Sequence, residues 1–196
     1  YAMHGYFKAL TDKDYAIDKS RAWAVNYEFL SNIYPNPKMI CMVRDLRDII
    51  CSMEKNFRKH PDLITGKPTI IERVSDWMEP DGKPVGITLK NLKEVFHRGW
   101  NKNILFVRHE DLTTSPQATM DKVHDFLEIN RYTYDFSEIK QVTFEDDKFH
   151  GIYGDHKIKA QVQPIKSMAK EILGDVICDQ IYETFKWYFL SFNYTK

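Results

Sequence analysis

Arg44 and Ser52 stand eight residues apart, about two helical turns, which puts them on one side of a helix. An arginine fork offers two parallel donors to phosphate oxygens. Serine adds a hydroxyl, so the pair suits a clamp on a single phosphate. The same spacing also serves an ion pair from Arg44 to Asp45 or Asp48 beside a solvated serine, and spacing by itself leaves both open. Two other polar groups, Asp18-Lys19-Ser20-Arg21 and Arg108-His109-Glu110-Asp111, follow short apolar runs just as Arg44-Asp45 does. Ligands of open α/β sheets sit beyond the carboxyl ends of the strands. Basic residues at three such ends point to an anionic ligand.

Positioning these groups requires strands and helices in alternation. Tyr15-Ala-Ile-Asp18, Met39-Ile-Cys-Met-Val43 and Ile104-Leu-Phe-Val107 are short, nearly unbroken apolar runs. Such runs suit strands covered on both faces, as in a parallel sheet between helices. After the first, Trp23, Tyr27, Leu30 and Tyr34 recur at helical spacing until Pro35 and Pro37. After the second, Leu46, Ile49, Ile50, Met53 and Phe57 form one apolar stripe, with Asp45 placed as its cap. After the third, Ser115-Pro116 reads as an N-cap with proline at the first helical position, ahead of Met120, Val123, Phe126 and Leu127. A last helix is expected from about Asp175, carrying Ile177, Ile181, Phe185, Tyr188 and Phe192. Strand, helix, strand, helix is the pattern of an α/β fold. Residues 60–86 break it. Rich in proline, glycine and charge, with one helical piece around Ile70 to Met78, they read as an inserted flap facing a substrate. A second irregular stretch spans residues 144–164.

The chain's 196 residues suit one domain rather than two. Its 28 basic and 28 acidic side chains cancel, which argues against a dedicated nucleic-acid or membrane-surface binder. An anion site must then come from placement. The longest apolar run is about five residues, far below the roughly 20 of a membrane span. Three widely spaced cysteines, Cys41, Cys51 and Cys178, form no C-x-x-C pair. They read as buried free thiols of a reducing, cytoplasmic compartment rather than as a disulfide frame or a zinc site.

An apolar strand ending in Val43-Arg44-Asp45, then Arg47-Asp48 and a helix bearing Ser52, resembles the 3′-phosphate-binding element of the PAPS-dependent sulfotransferases. Their donor is 3′-phosphoadenosine-5′-phosphosulfate (PAPS). Ile17-Asp-Lys-Ser-Arg-Ala-Trp23 is similar to the strand-end Lys-Ser/Thr motif of that family, most like its bacterial and tyrosylprotein-type branches. Leu105-Phe-Val-Arg-His-Glu-Asp-Leu112, followed by Ser115-Pro116 and Asp125-Phe-Leu127, resembles the family's Tyr-Glu-Asp-Leu strand and the helix after it. The three motifs keep the family's order over roughly Asp14 to Ile129.

The resemblance implies an α/β fold, a three-layer sandwich around a central parallel sheet of the P-loop NTPase-like kind. It also implies that Arg44 and Ser52 bind the 3′-phosphate, and that Lys19 stabilises charge at the sulfonate as the S–O bond breaks. His109 stands where many members place a tyrosine against the adenine, and Lys157 and Lys159, after Gly154, are the candidates for the loop that closes on the 3′-phosphate. The implied reaction is in-line transfer of a sulfonate to a hydroxyl or amine of a small molecule, glycan or peptide. It leaves 3′-phosphoadenosine 5′-phosphate (PAP) and needs no metal.

Two features depart from the family pattern. The glycine-rich donor loop, whose backbone N–H groups hold the 5′-phosphosulfate, has no counterpart, because Gly5 is the only glycine before Gly66. The expectation is therefore a single domain over residues 1–196 that lacks its N-terminal strand and loop. The place two residues after Lys19, where many members carry a catalytic histidine, holds Arg21, which cannot accept a proton. Asp18 and His4 are the visible candidates for a base. A P-loop-type small-molecule kinase and a non-catalytic module retaining the fold are the alternatives. The kinase needs a Walker-type lysine and a carboxylate for magnesium, and no visible motif supplies them.

Overall fold

Two of the three apolar runs form strands in the computed structural model, which describes all residues except Tyr1, Arg21, Pro35, 62–65, 82–83 and 143–156, and the side chains of Met3 and His4. Helices α1 (Ala2–Leu10) and α2 (Tyr27–Ile33) precede strand β1 (Met39–Val43). Helices α3 (Leu46–Lys59), α4 (Ile70–Met78) and α5 (Pro84–His97) follow, and a 3-10 turn at Trp100–Asn103 leads into β2 (Ile104–Arg108). Then come α6 (His109–Thr114), α7 (Pro116–Leu127), α8 (Ala169–Leu173), α9 (Asp175–Thr184) and α10 (Lys186–Ser191).

Strands β1 and β2 pair in parallel, Met39 opposite Ile104 and Val43 opposite Arg108. A parallel pair needs a crossover between its strands, and α3, α4 and α5 supply it. This register ends both strands together, so Arg44 and His109 leave the sheet side by side.

The expected third strand at Tyr15–Asp18 is corrected. Those residues are irregular, and Tyr15 and Ile17 are 68% and 88% exposed. The described sheet has two strands only. Without a neighbouring ladder, nothing holds the run in strand conformation.

Helix α3 starts as its sequence demands. The Asp45 carboxylate accepts from the Arg47 backbone N–H at 2.8 Å, capping the first turn. Leu46, Ile50, Cys51, Met53 and Glu54 are buried, while Ser52 and Lys55 are exposed. A Thr69–Glu72 capping box begins α4. Ser115 occupies the cap position of α7, but its side chain makes no capping bond there, and Pro116 opens the helix.

The single last helix expected from Asp175 breaks at Phe185, where φ is −113° and ψ is 30°. Beyond the break, Tyr188 and Phe189 of α10 are both buried in the core.

Val43, Leu46, Ile50, Trp77, Leu89, Ile181 and Phe189 belong to one buried cluster, and Tyr27, Val95 and Ile104 to a smaller one. Within residues 60–86, α4 is docked firmly: Arg73, Val74, Trp77 and Met78 are buried. Helix α5 meets the end of α4 at Gly86, where a Cβ would collide with the Glu79 and Met78 carbonyls. Only glycine permits that approach. Among the described residues no helix is long and apolar enough to cross a membrane.

Candidate functional site

The chain leaves β1 at Arg44 and turns directly into α3. The Arg44 side chain is half-buried, and its Nε is buried with no hydrogen-bond partner among the described residues. A buried donor left unpaired costs about 1–3 kcal/mol, more when charged, so such a group calls for a partner, whether water, an ion or a ligand; Arg108 Nε is in the same position.

The carboxylates that would make Arg44 a plain ion pair have other partners. Asp45 accepts from Arg47 Nε at 3.0 Å and from Arg47 Nη2 at 2.6 Å. Asp48 accepts from the Ser167 hydroxyl at 2.5 Å. No ion pair joins Arg44 to either among the described residues.

His109 begins α6 where β2 ends, beside Arg44. Burial pushes its imidazole below the ordinary histidine value, and the Arg44 charge adds to the effect. Lys159 acts in the same direction, against Glu110 and Asp48. Arg44, Asp48 and Lys159 thus all lie within electrostatic reach of His109, although Lys159 follows it by 50 residues.

Ser52 lies on the exposed side of α3, one turn after Asp48. The stretch before α8 borders this side through Ser167 and through Met168, whose Sδ is 3.6 Å from Lys55 Nζ. Lys157 and Lys159 are exposed. Their segment is held by residues 136–141: Ile158 N–H donates to Gln141 Oε1 at 3.2 Å, and Ile139 N–H to the Ala160 carbonyl at 2.7 Å. A cleft of about 420 Å³ opens beside the first turn of α3, among Asp45, Asp48, Ser167 and Lys170.

Lys19 is exposed in the irregular segment after α1, and among the described residues no contact joins it to Arg44, Ser52 or His109. Asp18 is exposed beside it. Arg21, the His4 side chain and residues 154–156 lie outside the described residues.

Spacing singled out the Glu110-Asp111 motif but assigned Glu110 no task. In the fold its carboxylate accepts from the Asp45 backbone N–H at 3.2 Å and from the Tyr194 hydroxyl at 2.7 Å. It ties the start of α6 to the start of α3. Tyr188, placed on an apolar stripe by its spacing, bonds to the backbone of Arg44, 144 residues away. No local pattern marks a contact of that range.

Arg44, whose buried Nε has no partner among the described residues, thus leaves the sheet beside His109 and at the start of α3, on whose exposed side Ser52 lies. A family model for the sulfotransferase domain matches residues 25–179, well over half of the chain. The chain belongs to the sulfotransferase family. No curated protein matches it. This sulfotransferase is a transferase that moves a sulfonate group. The matched span contains Arg44, Ser52, His109, Lys157 and Lys159; Lys19 precedes it and α10 follows it.

Proposed function

We propose that this sulfotransferase takes its sulfonate from PAPS and that Arg44 and Ser52 hold the donor's 3′-phosphate. The buried, unpartnered Nε of Arg44 at the carboxyl end of β1 carries the reading. A phosphate there would accept from the Arg44 fork while Ser52, two turns along α3, donates its hydroxyl. His109, whose neutral form burial and Arg44 favour, suits an adenine, which it can stack on or hydrogen-bond. Lys157 and Lys159 would close on the same phosphate, and the electrostatic reach of Lys159 to His109 supports this. Lys19 would face the sulfonate, on the strength of its Lys-Ser motif.

The reaction is an in-line displacement. The acceptor oxygen or nitrogen attacks sulfur, the bond from sulfur to the bridging phosphate oxygen breaks, and PAP leaves with that electron pair. The acceptor's proton passes to a base, for which Asp18 and His4 are the candidates on this chain. Lysine and arginine charges stabilise the leaving phosphate, so no metal enters the scheme. The acceptor is a hydroxyl or amine of a small molecule, glycan or peptide, selected by residues 60–86 and 144–164. The same reading carries a three-layer α/β sandwich, supported by the parallel β1–β2 pair and its helical crossover. It also carries a cytoplasmic setting, supported by free thiols at Cys41, Cys51 and Cys178.

Thermal denaturation with added nucleotide tests the donor class. PAP is expected to raise Tm, because a ligand that binds only the folded state stabilises it by mass action. ADP with magnesium is expected to do so weakly or not at all. Stabilisation by magnesium-ADP and none by PAP would contradict the reading.

A further inference from the structure

Around the turn from β1 into α3, four bonds come from one place: α10 and the residues just after it. The Tyr188 hydroxyl donates to the Arg44 carbonyl at 2.9 Å and accepts from the Arg44 N–H at 3.3 Å. The Tyr194 hydroxyl donates to Glu110 Oε2 at 2.7 Å, and Glu110 Oε1 in turn accepts from the Asp45 N–H at 3.2 Å. The Thr195 carbonyl accepts from Arg47 Nη2 at 2.7 Å. Arg44, Asp45 and Arg47 are thus each gripped, directly or through Glu110, by residues 188–195.

The grip is built on rigid parts. Tyr188 is 3% exposed and Tyr194 is 7% exposed. Their rings lie parallel with centroids 6.2 Å apart, and the Arg108 guanidinium covers the Tyr194 ring at 4.4 Å. Phe189 packs under the Arg47 guanidinium at 5.0 Å. Burial pushes both tyrosines well above the ordinary phenol value, so their hydroxyls keep their protons throughout the working pH range.

The geometry points to Tyr188 and Tyr194 as positioning residues of the anion site, setting the backbone of Arg44 and Asp45 so that the Arg44 fork meets the 3′-phosphate. This inference rests on the donor reading above and deepens it. It adds residues beyond the span 25–179 that the family model matches. Neither tyrosine touches the ligand in this account; each acts through the turn it holds. A clamp that must present two N–H groups to a phosphate is sensitive to small displacements of its backbone, which gives these hydroxyls a role in affinity as well as in packing.

The test compares Tyr188→Phe and Tyr194→Phe with Ile181→Val, a core change in α9 that leaves every hydroxyl in place, and with Arg44→Ala. Affinities for PAP and for AMP, which lacks the 3′-phosphate, are measured well below each variant's Tm. Both tyrosine variants are expected to lose about three- to tenfold for PAP and to change little for AMP. Ile181→Val, at a comparable loss of Tm, is expected to keep the wild-type ratio. Amide hydrogen exchange supplies a ligand-free readout: the Arg44 N–H should exchange faster in Tyr188→Phe. An unchanged PAP-to-AMP ratio in both tyrosine variants, while Arg44→Ala loses it, overturns the inference and leaves the donor reading standing. Unchanged exchange at Arg44 overturns it as well. Failure of Arg44→Ala to alter the ratio removes the donor reading itself, and this inference with it.

Discussion

His109 shows how a single side chain at a strand end takes its character from its neighbours. Burial first, and the Arg44 charge second, disfavour its imidazolium form. Its folded value therefore lies below the unfolded one, near 6.5. Between those two values the unfolded chain binds more protons, so stability rises with pH across that window. Acidification from above the unfolded value through the folded one must then cost stability. His109→Gln lacks this titration. Between about pH 7.5 and about pH 5 the Tm of the wild type is expected to fall further than that of His109→Gln. Parallel profiles would show that the imidazole is not held neutral. The strand-end places of Arg44 and His109 were legible in the sequence because each follows an apolar run, whereas a phosphate role for Arg44 and Ser52 came only from the resemblance. Tyr188 was not legible, because its partner is 144 residues away and its spacing fits an ordinary buried stripe.

At the scale of elements, α3 is held to α4 by a buried ion network. Glu54, 1% exposed, receives Arg73 Nε on Oε2 at 2.9 Å and Arg73 Nη2 on Oε1 at 2.8 Å. Arg58 Nε adds a third bond at 2.9 Å, and Phe57 packs against the Arg73 guanidinium at 4.0 Å. Arg73 also donates to the Lys67 and Pro68 carbonyls at 2.9 Å each, which fixes the entry to α4. Burial acts to raise the Glu54 carboxyl, but the hydrogen bonds from Arg73 and Arg58 outweigh it and hold it below the usual carboxylate range. The stability this supplies is present above the unfolded carboxyl value and is lost as pH falls through the lowered one.

Removing one partner of a buried pair leaves the other charge stranded. Glu54→Ala is expected to cost about 3–5 kcal/mol in denaturant unfolding, and replacing Glu54 and Arg73 together by apolar residues much less. A loss below about 1 kcal/mol for Glu54→Ala, the level of an exposed pair, would contradict the network. The sequence carried a signal here, since Glu54 sits on the apolar stripe between Met53 and Phe57. Helices α2, α3, α4 and α7 were legible because caps and periodicity act within a few residues, whereas α1 and α5 were not expected. The run at Tyr15–Asp18 has the composition of a strand, but strand formation depends on a neighbour's ladder, and composition cannot supply one. The break at Phe185 was equally hidden, because the apolar spacing of Ile181, Phe185, Tyr188 and Phe192 runs straight through it.

For the whole molecule, charge is balanced at 28 against 28, so affinity for an anion comes from convergence. In the proposed site the parallel register of β1 and β2 brings Arg44 and His109 to one edge, Ser52 lies on the exposed side of α3, and Lys159 is within electrostatic reach of His109. The central claim is that this convergence reads a 3′-phosphate. Calorimetric titration of Arg44→Ala with PAP and with AMP tests it most directly. The account predicts a loss of about ten- to a hundredfold for PAP with AMP binding nearly unchanged. Equal losses for the two nucleotides, or none for either, would contradict it.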